Sequence, residues 1–334
     1  MHQFIEIFGL DLGAWGLMLM LGVISSLVLF KLLCTQDGVP QKAYAMYGVI
    51  GFVSALVGIL FAYLFDNFYK FFDNYQWGLG GFTLMGGVLG GVGAFVIATI
   101  TFTNSQYAPY AWGIGLGLVG IGAGIVLLTN PINIVVGAII GGIVLASIGV
   151  VIGLWFKKST LLPTGLLVNS YHPEYRATLW PIVNKGVICI TLAVAIGRIG
   201  CFMAGCCYGN EVHEHDFWHF LGVEFNYTAP ANTTVLPTNL IESIFMFALF
   251  AIMLLTRKKI KNQVLLFGIA YSVFRFLIEY LRNDDRGTPV LGMSPSQIQS
   301  IAFIIIAVAI TIYIRYKENK LLDITPTTAK TNIE

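Results

Sequence analysis

Nine runs of this sequence are apolar enough to cross a bilayer as helices: 14–33, 43–65, 78–103, 110–129, 133–156, 180–197, 240–256, 263–281 and 297–314. Each comes close to the roughly 20 residues that a spanning helix needs. In hydrocarbon every backbone N–H and C=O must be satisfied within the protein, and a single run of this kind achieves that only as a helix. The pattern predicts an all-α, polytopic membrane protein of about nine spans. Charge agrees: Asp, Glu, Lys and Arg make up 11% of the chain, against about 25% in soluble domains. A net charge of +2 offers no basic surface, so no nucleic-acid partner is expected.

The distribution of Lys and Arg predicts orientation. Lys31 and Lys42 separate the first two runs, and Lys157, Lys158 and Arg176 follow the fifth. Arg257, Lys258, Lys259 and Lys261 follow the seventh, and Arg315, Lys317 and Lys320 the last. With nine spans these loops share one side, the cytoplasm, which also takes the C-terminus. The N-terminus and the 198–239 loop, with Glu211, Glu214, Asp216 and Glu224, then lie outside. No basic stretch precedes the first run, so it is expected to stay as an anchor. The Gly-rich pair 110–156 has re-entrant loops as its alternative, and losing both members keeps the same parity. The chain divides into 1–103, 104–178, 179–320 and a polar tail, 321–334, that reads as disordered.

The costliest residues sit in "YSVFRFLIEYLR". Tyr271, Arg275, Glu279 and Arg282 are spaced by 4, 4 and 3, which puts them on one face of a helix. A charge within a membrane costs about 2.5–3.5 kcal/mol on insertion scales, so such groups face a cavity or each other. A self-satisfied ladder is the structural reading, with Arg282 snorkelling to the interface. Arg275 lies about two turns deeper and favours a functional role. Arg198 ends the sixth run on the same side as Arg282. Two guanidiniums converging there would attract an anion, and a phospholipid phosphate suits their fork geometry. The alternative for Arg198 is a surface contact with lipid headgroups. Glu242 opens the seventh run in "LPTNLIESI", with Thr238 or Asn239 as its cap. Two readings stand for it: an anion at a helix N-terminus, or a partner for Arg198 or Arg275.

Gly clusters at 78–93 and 113–124 read as close helix packing, with the "MGG" at Met85, Gly86 and Gly87 as a possible flexible element beside lipid. "GRIGCFMAGCCYG" (197–209) holds Cys201, Cys206 and Cys207. Their C-x4-C-C spacing is not that of a zinc knuckle, so no metal and no cofactor is expected. His213, His215 and His219 leave an external metal site as an alternative. A disulfide joining Cys201 to Cys206 or Cys207, and three buried free thiols, are the other readings.

Four segments in order resemble the prolipoprotein diacylglyceryl transferases. "GRIGCFMAGCCYG" is similar to that family's G-R-I-G-N-F-x-N-G-E-x-x-G signature, and "LPTNLIE" to its H-P-[ST]-Q-L-Y-E. "YSVFRFLIEYLR" resembles its Y-x-x-x-R-x-x-x-E-x-x-R helix, and "LGMSPSQIQS" its L-S-x-x-Q-x-x-S approach to the last span. The resemblance covers the first three spans weakly and 179–300 well. It implies seven family-like spans, with 104–178 carrying an inserted pair. It implies a bacterial inner-membrane transferase that moves the diacylglyceryl group of phosphatidylglycerol onto the thiol of a prolipoprotein lipobox cysteine. By it, Arg198 and Arg275 are the essential arginines, and Tyr271, Glu279, Arg282, Glu242, Gly209, Gly86 and Gly87 complete the substrate site. The departures are Met85, Leu236, Trp15, Cys201 and Cys206, where the family carries other, mostly polar residues. They motivate two alternatives: altered chemistry at a thiol site of Cys201, Cys206 and Cys207, or phospholipid binding without catalysis.

Overall fold

A computed structural model describes residues 4–7, 10–74, 84–103, 107–127, 131–158, 173–216, 218–225, 233–282, 293–294, 296–305, 307–309 and 312. The expected disordered tail, residues 78–83 of the first glycine cluster and the side chains of Met85 and Gly86 lie outside what is described. Eight long helices follow in order. They are α1 (Ala14–Gln36), α2 (Gln41–Asn74), α3 (Leu84–Thr103), α4 (Ala108–Leu127), α5 (Pro131–Lys158), α6 (Leu179–Met203), α7 (Thr238–Thr256) and α8 (Gln263–Ile278). A last helical stretch covers 296–305. Each apolar run of the sequence therefore meets a helix. Among the described residues five helices are long and apolar enough to cross a membrane: Ala14–Gln36, Gln41–Leu64, Glu174–Met203, Thr238–Thr256 and Gln263–Leu281.

The described chain is mostly helical, as an all-α membrane protein requires, and two short strand pairs accompany the helices. Phe4–Ile7 (β1) and Leu10–Gly13 (β2) form an antiparallel hairpin with Ile5 opposite Leu12. Val223–Glu224 (β3) pairs with Thr234–Val235 (β4). "IEI" (5–7) and "LDL" (10–12) alternate at period 2, which favours a strand, but so few residues do not stand out beside a spanning run.

The chain forms two compact units, Met1–Gln36 with Val183–Glu334, and Asp37–Ile182. The second is packed by glycine. Gly91 on α3 faces Gly58 on α2, and Gly113 and Gly117 on α4 face Val150 and Ala146 on α5. A Cβ at Gly149 would strike the Trp112 carbonyl, so only glycine lets these backbones touch. The packing role expected of the glycine clusters holds at these described positions.

The first unit has a conventional core. Leu33, Ile188, Ala195, Met246, Leu249 and Met253 are buried together, with Phe267 and Tyr271 of α8 against them. Polar groups fix the helices on each other. The Ser26 hydroxyl of α1 donates to the Cys189 carbonyl of α6 at 2.8 Å, and Ser243 of α7 to the Ala195 carbonyl at 2.8 Å. Asn184 Oδ1 of α6 accepts from the Gln263 and Val264 amides that open α8, which serves helix donors that have no intrahelical partner. Outward-facing Leu19, Ile24, Ile190, Ile244 and Leu277 are exposed, as a lipid-facing surface requires.

Candidate active site

The ends of α6 and α8 and the start of α7 bring the sequence-selected charges together in the first unit. Arg198 Nη2 lies 2.8 Å from Glu242 Oε1, and the carboxylate is fully buried. The Tyr271 hydroxyl donates to the same Oε1 at 3.3 Å. The second oxygen, Oε2, is buried with no hydrogen-bond partner among the described residues. A buried carboxylate must be paired to avoid a large desolvation cost, and Arg198 supplies the pairing. Glu242 is therefore a partner of Arg198, and the surface reading of Arg198 falls. Neither Thr238 nor Asn239 caps α7, whose N-cap is Pro237.

One turn further along α8, Arg275 Nη2 lies 2.9 Å from Glu279 Oε2 and donates to Ser296 Oγ at 3.1 Å. The Ser294 hydroxyl donates to Glu279 Oε1 at 2.8 Å. Each arginine thus has its own carboxylate. The carboxylate partners that the sequence offered as alternatives are both realised: a buried Arg275–Glu279 pair, and an Arg198–Glu242 pair whose arginine stays partly exposed and whose carboxylate also binds Tyr271. Ser294 and Ser296 were missed as site residues. Their one signal was two hydroxyls two residues apart just before the last apolar run.

The helical face also needs correction. α8 stops at Ile278, Glu279–Leu281 is a 3-10 turn, and Arg282 is extended. Arg282 bridges Gly209 as an antiparallel pair, with the Asn210 amide on the Leu281 carbonyl at 2.9 Å. Arg282 is buried, which removes the snorkelling reading. A Cβ on Gly209 would meet the Leu281 carbonyl and the Thr238 methyl. That contact explains a glycine at the end of the signature. Gly200 is likewise closed by Trp15 and Met18 of α1.

The three cysteines converge. Their sulfurs all lie within 4.8 Å of one another, and none is in a disulfide. α7 holds their loop: Asn239 Nδ2 donates to the Cys206 carbonyl at 2.8 Å and the Thr238 hydroxyl to that of Cys207 at 3.0 Å. Cys207 has a φ of 60°, a conformation uncommon outside glycine. Its thiol is held well below the usual range, because Cys201 and Cys206 donate hydrogen bonds to it, with the Arg282 and Arg198 charges adding to the effect against burial. The Cys206 thiol moves up, its proton engaged by Cys201 and Cys207. No histidine joins the sulfurs among the described residues. His213 and His219 instead line an open cleft of about 820 Å³ with Glu211, Glu214 and Glu224. Gly86 and Gly87 belong to the other unit, where Gly87 sits against Ala62 and the Gly58 carbonyl.

The model of the prolipoprotein diacylglyceryl transferase family matches residues 110–313. This chain belongs to that family. The matched range holds every charged residue of the site and all three clustered cysteines. Among relatives, a protein of Clostridium tetani named phosphatidylglycerol–prolipoprotein diacylglyceryl transferase is 28% identical over 91% of this chain and 93% of its own. The Clostridium perfringens protein named as transferase 2 is 40% identical over 35% of this chain and 45% of its own. One from Dehalococcoides mccartyi strain 195 is 33% identical over 55% of this chain and 66% of its own.

Proposed function

We propose that this protein transfers the diacylglyceryl group of phosphatidylglycerol to a cysteine thiol of a prolipoprotein. The observation that carries the reading is the meeting of two Arg–Glu pairs, both carboxylates buried, near one tyrosine, within a family whose members bear that activity in their names. Guanidiniums already fixed by carboxylates are preorganised, so they can take up charge as it develops without reorganising. In the reaction a C–S bond forms at the glycerol carbon and its C–O bond to phosphate breaks. The electron pair leaves with glycerol phosphate, the charge that Arg198 and Arg275 stabilise. A headgroup hydroxyl would supply the partner that Glu242 Oε2 lacks among the described residues, which favours glycerol over a headgroup without one. Tyr271 positions Glu242. Glu279, Ser294 and Ser296 position Arg275, and Arg282 with Gly209 closes the loop over the site.

The wider reading is a nine-span protein of the bacterial inner membrane, with the site loop outside and the C-terminus in the cytoplasm. The acceptor is then the lipobox peptide, reached from the outer leaflet where phosphatidylglycerol is available. The test uses cells depleted of their own transferase. Expression of this chain is expected to restore thioether-linked lipid on lipoproteins, read by mass spectrometry of their N-terminal peptides. Unmodified lipoproteins despite a well-expressed, membrane-inserted protein would refute the reading.

A further inference from the structure

Thiol alkylation needs a thiolate, and a free cysteine with a pKa of about 8.5 is only a few per cent ionised at neutral pH. The three clustered sulfurs of Cys201, Cys206 and Cys207 lie beside Arg198 and Arg282 and offer a route to one.

Three sulfurs on one tetrahedral ion, at about 2.3 Å each, stand roughly 3.8 Å apart. Sulfurs already within 4.8 Å of one another need to close by no more than about 1 Å to reach that arrangement. The group is reduced and partly exposed, so an ion can enter. Its backbone is anchored by Thr238 and Asn239, as ligands of a metal are anchored by groups behind them. Among the described residues no fourth His, Cys, Asp or Glu joins the set. Three thiolates select a soft ion over Mg2+ or Ca2+. Three protein ligands with an open fourth position are the pattern of a catalytic rather than a structural zinc site. Three thiolates and Zn2+ sum to one negative charge, which the charges of Arg198 and Arg282 complement.

We propose that Cys201, Cys206 and Cys207 bind one Zn2+ ion whose fourth position takes the acceptor cysteine and presents it as a thiolate. This rests on the transferase reading. On binding, the acceptor thiol loses its proton to solvent, because a coordinated thiol is deprotonated outright. Its sulfur then forms the C–S bond while the C–O bond breaks and glycerol phosphate departs with the electron pair. The sulfur is now a neutral thioether, a weak ligand, and it leaves the ion. No oxidation or reduction is involved. The sequence spacing argued against a metal; the folded loop brings together what the spacing does not.

The experiment uses the full-length protein, reduced, in nanodiscs containing phosphatidylglycerol. Metal content is measured after dialysis against zinc, for the wild type and for the Cys201→Ser, Cys206→Ser, Cys207→Ser triple variant. A single zinc per wild-type chain and none in the triple variant is expected. With Co2+ in place of zinc, a synthetic lipobox peptide with one cysteine is expected to shift the cobalt absorption, and its serine analogue is not. Chelation of the wild type should lower transfer at pH 7 about 30-fold, the ratio of full to ~3% ionisation, and less than ~2-fold at pH 9. Zinc retained by the triple variant, or no zinc held by the wild type, overturns the proposal. Transfer that survives chelation at pH 7 also overturns it and leaves the transferase reading standing. Zinc bound through the sulfurs with no lipid ever reaching the peptide overturns the transferase reading and the acceptor role together.

Discussion

The helix pair α4–α5 and the helix group α6–α8 are both apolar assemblies, yet they are held together in opposite ways. Within α4–α5 the contacts run through Gly113, Gly117, Gly149 and Gly153, with no charged residue before Lys157. Within α6–α8 the described core carries Glu242, Arg275, Asn239, Gln263 and Ser272, all buried. Shape alone suffices to join two helices in lipid. Ionic groups there are far more costly, so their presence in one region and not the other is the contrast on which the proposed site rests.

The sharpest way to break this comparison is to leave a buried charge alone. Glu242→Ala strands Arg198 and is expected to cost about 3–5 kcal/mol of stability. Thermal unfolding in detergent reads it, and adding Arg198→Ala should recover part of the loss in a double-mutant cycle. Next comes Arg275→Ala, expected to lower turnover by about 100- to 1,000-fold while phosphatidylglycerol still binds. Kinetics with the lipid varied would check this. Arg275→Lys should recover little, since an ammonium cannot replace the fork. Gly149→Ala tests the other region. It should cost about 1–3 kcal/mol by overpacking and leave turnover per folded molecule unchanged. A fall in turnover as large as that of Arg275→Ala would erase the contrast. The smallest effect is expected at Thr238→Val, which removes one hydrogen bond to the Cys207 carbonyl, about 1 kcal/mol. Its readout is a change in alkylation rate of Cys207.

Much of this was legible in the sequence, for physical reasons. Helices were visible because hydrocarbon imposes long apolar runs. Arg198, Glu242, Arg275 and Glu279 were visible because charge in such runs is rare, and Tyr271 because it lies four residues before Arg275. α2 ends at Asn74 rather than near 65, since "DNFYKFFDN" is too polar for a spanning run yet contains no helix breaker. Arg282 was misplaced because helical spacing assumes that the helix continues, and here it tightens and stops at Glu279. The partners Ser294 and Ser296 come from a segment with no charge to flag it. The meeting of Cys201 with Cys206 and Cys207 depends on a turn through Gly205, at a φ of 67°, which no spacing rule describes.

On the proposed function, Arg198 and Arg275 serve one displacement at the phosphate of phosphatidylglycerol. It is tested most directly by release of glycerol phosphate from nanodiscs that contain the purified protein, this lipid and a cysteine lipobox peptide. Release matched one for one by lipidated peptide is expected, with loss of both together in either Arg198→Ala or Arg275→Ala. Equal release and lipidation in wild type and both variants, with all three proteins folded, would contradict it.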